Sequence, residues 1–112
     1  MRIKMDTSAI RFMITKPAAA KWDRDANRQK VDKATGALLW QVQLMALDES
    51  GGEILTVTVD TEPKLNVGEF VLLHELVAIP WSQGDRSGVA FRAAGITAVT
   101  AAGKPAGETR AA

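Results

Sequence analysis

The 112-residue sequence predicts an all-β domain, and three observations predict it. Apolar and polar residues alternate with a period of two along successive stretches, the pattern of a strand with one buried face. β-Branched residues crowd the stretch "EILTVTVD" at 53–60, where a pleated surface accommodates them best. The intervening segments are rich in Gly, Pro, Asp, Asn and Ser, the residues of tight turns, and no segment carries an apolar stripe that would oblige a helix. With 46% hydrophobic and 24% charged residues, the chain has enough apolar surface to bury a core as one domain.

The N-terminal stretch "MRIKMDTSAIRFMI" has early basic residues, but Asp6 and Arg11 interrupt what would be the apolar region of a signal peptide. It reads as the start of the fold. The first predicted strand is 8–15, "SAIRFMIT", with Ile10, Phe12 and Ile14 on one face. A long connection follows from Lys16 to Gly36, "KPAAAKWDRDANRQKVDKATG", read as a basic loop.

The second strand, 37–47, places Leu38, Trp40, Val42 and Leu44 on one face, with Gln41 and Gln43 on the other. "DESGG" (48–52) is a short hairpin loop leading to the third strand at 53–60. "TEPKLNVG" (61–68) is a longer connection. Residues 69–79, "EFVLLHELVAI", are a continuous apolar run, read as the fourth strand because a turn precedes it and Pro80 closes it. "SQGDRSG" (82–88) then joins a fifth strand at 88–99, in which Gly95 signals a bulge or a sharp bend. The small, polar tail 101–112 is expected to be disordered.

Five strands with one long first loop lead to a five-stranded OB-like small barrel over residues 1–100. An SH3-like barrel and a short sandwich are the alternatives.

Composition narrows the chemistry. The absence of cysteine removes disulfides, thiolate nucleophiles and thiolate metal sites, and fits a reducing cytoplasm. No run of 18 apolar residues predicts a membrane span. The net charge is only +1, but it is segregated: residues 1–36 balance at +5, residues 37–80 at −6 and residues 81–112 at +2. If the two basic sections meet in the fold they form one positive face; the alternative is an even scatter over the surface. The single histidine, His74, lies in the apolar run, where a packed or edge role is expected. With no Ser-His-Asp arrangement, phosphate loop or ligand cluster, neither catalysis, a metal, a cofactor nor a small-molecule substrate is expected.

Two stretches carry the functional expectation. In the long loop, Lys21, Arg24, Arg28, Lys30 and Lys33 surround Trp22. Cations neutralise phosphates and release counterions, and an exposed aromatic stacks on an unpaired base. The competing reading is a solvated loop partly neutralised by Asp23, Asp25 and Asp32, with Trp22 folded back over the barrel. The second stretch is "AIPWSQGDRSGVAFRA" (78–93), a hairpin in which Trp81 leaves the sheet after Pro80 and Arg86 lies in the turn. Arg92 points away from Phe91 by strand alternation. In an OB-fold the first and fourth loops face one cleft, so Trp81, Arg86 and Arg92 would extend the basic loop. Trp81 as a simple cap on the barrel mouth is the other reading. Trp40 shares parity with the core residues, whereas Gln41 and Gln43 face outward and could hydrogen-bond bases or sugars.

The order "TGALLWQVQLMALDESGGEILTVTVDTEPKLNVGEFVLLHELVAIPW", followed by "GVAFRAAGITAV", resembles small single-stranded-DNA-binding proteins of the filamentous-phage gene V type. It is also similar to small proteins of actinobacterial plasmids and integrative conjugative elements, through "TG.LLW" and "PW.QGDRSGVAFRA". The resemblance covers residues 8 to 100 as element order and hydrophobic pattern. It implies an OB-fold, a homodimer, cooperative binding of single strands, and a role in mobile-element transfer or replication. Phage proteins of that type stack bases on tyrosine and phenylalanine; this chain has no tyrosine, so Trp22 and Trp81 would take that part.

The reading is thus a non-catalytic binder of single-stranded DNA, with RNA undistinguished, in the cytoplasm. The alternative is a protein-interaction or assembly module that uses the acidic middle section and the apolar run "FVLLHELVAI" as an edge.

Overall fold

A computed structural model describes residues 1–99 and is all-β, with no helix among the described residues. The expected disorder of 101–112 falls outside the described residues. Eleven strands form among the described residues: β1 (Ile3–Lys4), β2 (Arg11–Ile14), β3 (Ala19–Ala20), β4 (Trp22–Asp23), β5 (Arg28–Gln29), β6 (Trp40–Asp48), β7 (Gly51–Val59), β8 (Phe70–His74), β9 (Val77–Gln83), β10 (Arg86–Arg92) and β11 (Gly95–Ala98). Nine of them make one curled sheet in the order β1-β9-β10-β7-β6-β2-β8-β11, with β3 beside β6; β4 and β5 pair separately.

Each predicted strand is present, and alternation decides its faces. In β6 and β7 the pairs Val42–Val57 and Leu44–Leu55 face inward, and Gln41–Thr58 and Gln43–Thr56 face outward. Phe12 and Ile14 of β2 and Val71 and Leu73 of β8 complete the inner face with Val59, Leu76 and Ala93. Leu44 and Val57 are wholly buried. Trp40 packs half-buried against this core, on the side its parity predicts.

Two predicted strands are each divided between two observed ones. The run 69–79 is β8 and the start of β9, separated at Glu75 and Leu76; 88–99 is most of β10 plus β11, separated at Ala93 and Ala94. One register carries through both breaks, because His74 faces Gly95 below and Val77 faces Arg92 above. The bend expected at Gly95 therefore sits just before it. It is made by Glu75, whose φ of 52° is left-handed, opposite Ala94. Gly95 is an ordinary ladder residue across from His74. The turn of the hairpin, Gly84 and Asp85, has positive φ at Gly84 (65°), as a two-residue turn of the II′ kind requires.

The apolar run is also not the free edge that an assembly reading needs. β8 lies between β2 and β11, and β9 between β1 and β10.

The connection 16–36 is the larger correction: much of it is paired. Ala19 and Ala20 pair with β6, Trp22 and Asp23 with β5, and Val31 bridges Leu38. Two turns of the same design make this possible. Asp23 Oδ1 accepts the amides of Asp25 and Ala26, and Asn27 closes the turn at φ 54°. Asp32 Oδ1 accepts the amide of Ala34, and Gly36 closes that turn at φ 77°. The three short ladders meet at a hub where Lys21 N–H donates to Leu39 O (3.0 Å), Leu39 N–H to Lys30 O (2.8 Å), and Lys30 N–H to Lys21 O (2.7 Å). This ring of backbone bonds satisfies groups that a loop would leave to water.

Candidate nucleic-acid interface

The hub gathers much of the expected basic loop. Paired residues in an antiparallel ladder project to one face, so Lys21, Lys30 and Leu39 project together, and Arg28, opposite Asp23, shares that face. Lys21, Arg28, Lys30 and Lys33, with Asp23 and Asp25, line a groove of about 530 Å³. Arg24 stands exposed in the turn beside it.

The hub is fastened to the sheet by two side-chain contacts. Lys21 Nζ donates to Thr58 Oγ1 at 3.2 Å. The Arg92 guanidinium pairs with Asp32. Thr58 and Arg92 are neighbours in the parallel register of β7 and β10, and Gln41 lies across from Thr58. Lys21, Gln41, Thr58 and Arg92 thus share the outer face. Gln43 is two residues along the same face, where its Oε1 accepts the Thr15 hydroxyl at 3.2 Å. Arg92, expected to extend the basic face toward phosphate, is partly buried and ion-paired, which leaves only part of its donor fork for a ligand.

Electrostatics follow this packing. Burial, then the charges of Lys30 and Arg92, lower the Lys21 ammonium from its ordinary value. The amide of Ala34, then the Arg92 guanidinium, hold the Asp32 carboxyl below the usual carboxylate range.

The hairpin of β9 and β10 continues the outer face. Trp81 opposes Gly88, Gln83 opposes Arg86, and both pairs have the parity of Val77–Arg92. At ~3.3 Å per residue, Trp81 lies roughly 13 Å and Arg86 roughly 20 Å along the ribbon from Arg92. Trp81 is 42% exposed, and the reason for its placement after Pro80 is visible. Its indole covers Gly88, where an added Cβ would stand 2.8 Å from Cζ2. The glycine leaves room for the ring, and the ring shields the glycine's backbone.

Trp22 does not join this face. It opposes Gln29, so by alternation it projects away from Lys21, Arg28 and Lys30, on the side of Val31 and Leu38. At 54% exposed it is not folded back over the core either. His74 is exposed, its Nε2 2.6 Å from Thr97 Oγ1.

Sequence reasoning missed Arg2 and Lys4. Lys4 pairs with Val77, which pairs with Arg92, so Lys4 stands in the same transverse row, and Arg2 and Lys4 line a second groove of about 310 Å³ with Arg92, Asp60 and Glu75. A two-residue strand carries too little alternation to be recognised in sequence. No helix among the described residues is long and apolar enough to cross a membrane. No family model, curated protein or solved structure matches the chain.

Proposed function

We propose that the protein is a non-catalytic, OB-type barrel that binds single-stranded nucleic acid across its outer sheet face. β8 with β9, and β10 with β11, count as two continuous bent strands because one register runs through each bend. The five long strands then form a ring: the first pairs with the second and fourth, the second with the third, and the third in parallel with the fifth, which pairs with the fourth. In such a barrel the face of strands two and three and the first and fourth loops take the oligonucleotide.

One observation carries the reading. The registers bring Lys21, Gln41, Gln43, Trp81, Arg86 and Arg92, scattered over 72 positions, to one face. Phosphates would follow the groove of Lys21, Arg28, Lys30 and Lys33, flanked by Arg24. Gln41 and Gln43 supply polar contacts, and Trp81 supplies a stacking surface. A homodimer, cooperative binding and a mobile-element role belong to the same proposal through the gene V resemblance, and the low sequence preference would follow from phosphate contacts.

A second reading, a protein-interaction module, is favoured by the exposed apolar group Trp22, Val31 and Leu38 on the opposite side of the hub. The test is titration of a labelled dT oligonucleotide, with a duplex of equal length as control. Tight single-strand binding that Trp81→Ala weakens and Trp22→Ala leaves unchanged supports the outer face. Absence of binding at low salt by the folded protein supports the protein module.

A further inference from the structure

The hub holds two lysines where electrostatics disfavours them. Lys21 and Lys30 oppose each other across one backbone hydrogen bond, and like charges directly opposite in a ladder repel. Lys21 is half-buried, and its ammonium, with three donors, makes a hydrogen bond to the Thr58 hydroxyl. Arg92 brings a third positive charge in register with Thr58. Among the described residues Arg92–Asp32 is the sole ion pair, so no carboxylate lies within pairing distance of Lys21 or Lys30. The lowered proton affinity of Lys21, caused first by burial and then by Lys30 and Arg92, reflects the same unrelieved field. Solvated surface lysines avoid such a cost by turning outward.

We propose that Lys21, Lys30, Arg92 and Thr58 form one anion site that takes a single phosphate group. Lys21 and Lys30 supply point charges. Thr58 can rotate its hydroxyl to donate once Lys21 turns to the anion. Arg92 offers the N–H groups that Asp32 leaves free, and the ion pair fixes its guanidinium before a ligand arrives. Asp32 is the acid paired within the site, and its engagement by Arg92 and the Ala34 amide spends its charge locally. Asp23 and Asp25 line the groove of Lys21 and Lys30, and Asp60 the one beside Arg92, without an ion pair to any of these cations. The proposal deepens the nucleic-acid reading, in which the phosphate belongs to a strand backbone; the same chemistry fits a free phosphate.

Two measurements separate the site from that reading. The first follows backbone amide shifts of the folded protein as inorganic phosphate replaces chloride at constant ionic strength. Saturable shifts centred on Lys21, Lys30, Thr58 and Arg92, absent in Lys21→Met, are expected. The second compares binding of a dT oligonucleotide by Lys21→Met, Thr58→Val and Lys64→Met. Lys64 is an exposed lysine outside the site, and its variant matches the loss of one charge. Lys21→Met should weaken binding at least tenfold and Thr58→Val a fewfold, with Lys64→Met below twofold. Localised phosphate shifts without oligonucleotide binding uphold the site as one for free phosphate and refute the strand-binding reading. Oligonucleotide binding with Lys21→Met equal to Lys64→Met overturns the site and leaves the reading standing. Phosphate shifts spread over all lysines also overturn it.

Discussion

Salt dependence offers the sharpest test of the basic groove. Four cations line it, Lys21, Arg28, Lys30 and Lys33. If each neutralises one phosphate of a single strand, counterion release at ~0.7 per contact gives a slope of about −2.8 in log K against log salt. Raising salt fourfold, from ~50 to ~200 mM, then weakens binding about 50-fold. Lys30→Met removes one contact and should reduce the magnitude of the slope by about 0.7, so that the variant loses affinity mainly at low salt. The assay is fluorescence anisotropy of a labelled dT oligonucleotide at several chloride concentrations, for the parent and the variant. A parent slope near zero, or a slope unchanged by Lys30→Met, refutes the groove as the place where phosphates are neutralised.

Three further outcomes follow from the packing. Leu44→Ala, at a wholly buried position between Ile14 and Leu55, should destabilise by about 2–5 kcal/mol in a denaturant titration, and a loss below ~1 kcal/mol would mean that the core lies elsewhere. Gly88→Ala puts a methyl group into the Trp81 ring; it should shift the near-ultraviolet circular dichroism while costing about 1 kcal/mol or less, since cross-strand pairs on an exposed ribbon contribute on that order. An unchanged spectrum would mean that the indole does not rest there. Lys21 predicts a pH effect: because its folded pKa is lowered, the folded protein holds this proton less tightly than the unfolded chain, and stability rises with pH up to the ordinary lysine value of 10.5. The stability of the parent relative to Lys21→Met should therefore rise as alkaline pH is approached, and a difference independent of pH would refute the burial of this charge.

Local pattern determined much of this protein. The alternation of Phe12 and Ile14, of Val42 and Leu44, and of Val57 and Val59 was enough to specify strands and their buried faces, because a period of two leaves only one side to hide. Pro80, Gly84 and Gly88 similarly marked the projecting hairpin. The two Asp turns were also written in "DRDAN" and "DKATG", each an Asp followed four residues later by a residue able to adopt positive φ. Their arms are only two or three residues long, too short for alternation to register.

What the tertiary structure alone decided is which residues share a surface. The left-handed Glu75 bends one long strand at a position where sequence offers no glycine. The hub sets Lys21 against Lys30 and turns Trp22 to the opposite side, although all three lie in one basic stretch. Arg92 found Asp32 across 60 positions, and Lys21 found Thr58 across 37. Neighbours along the chain are fixed by backbone geometry, but neighbours across it depend on register and on how the sheet curls. Those are settled only when every strand has buried its apolar face at once.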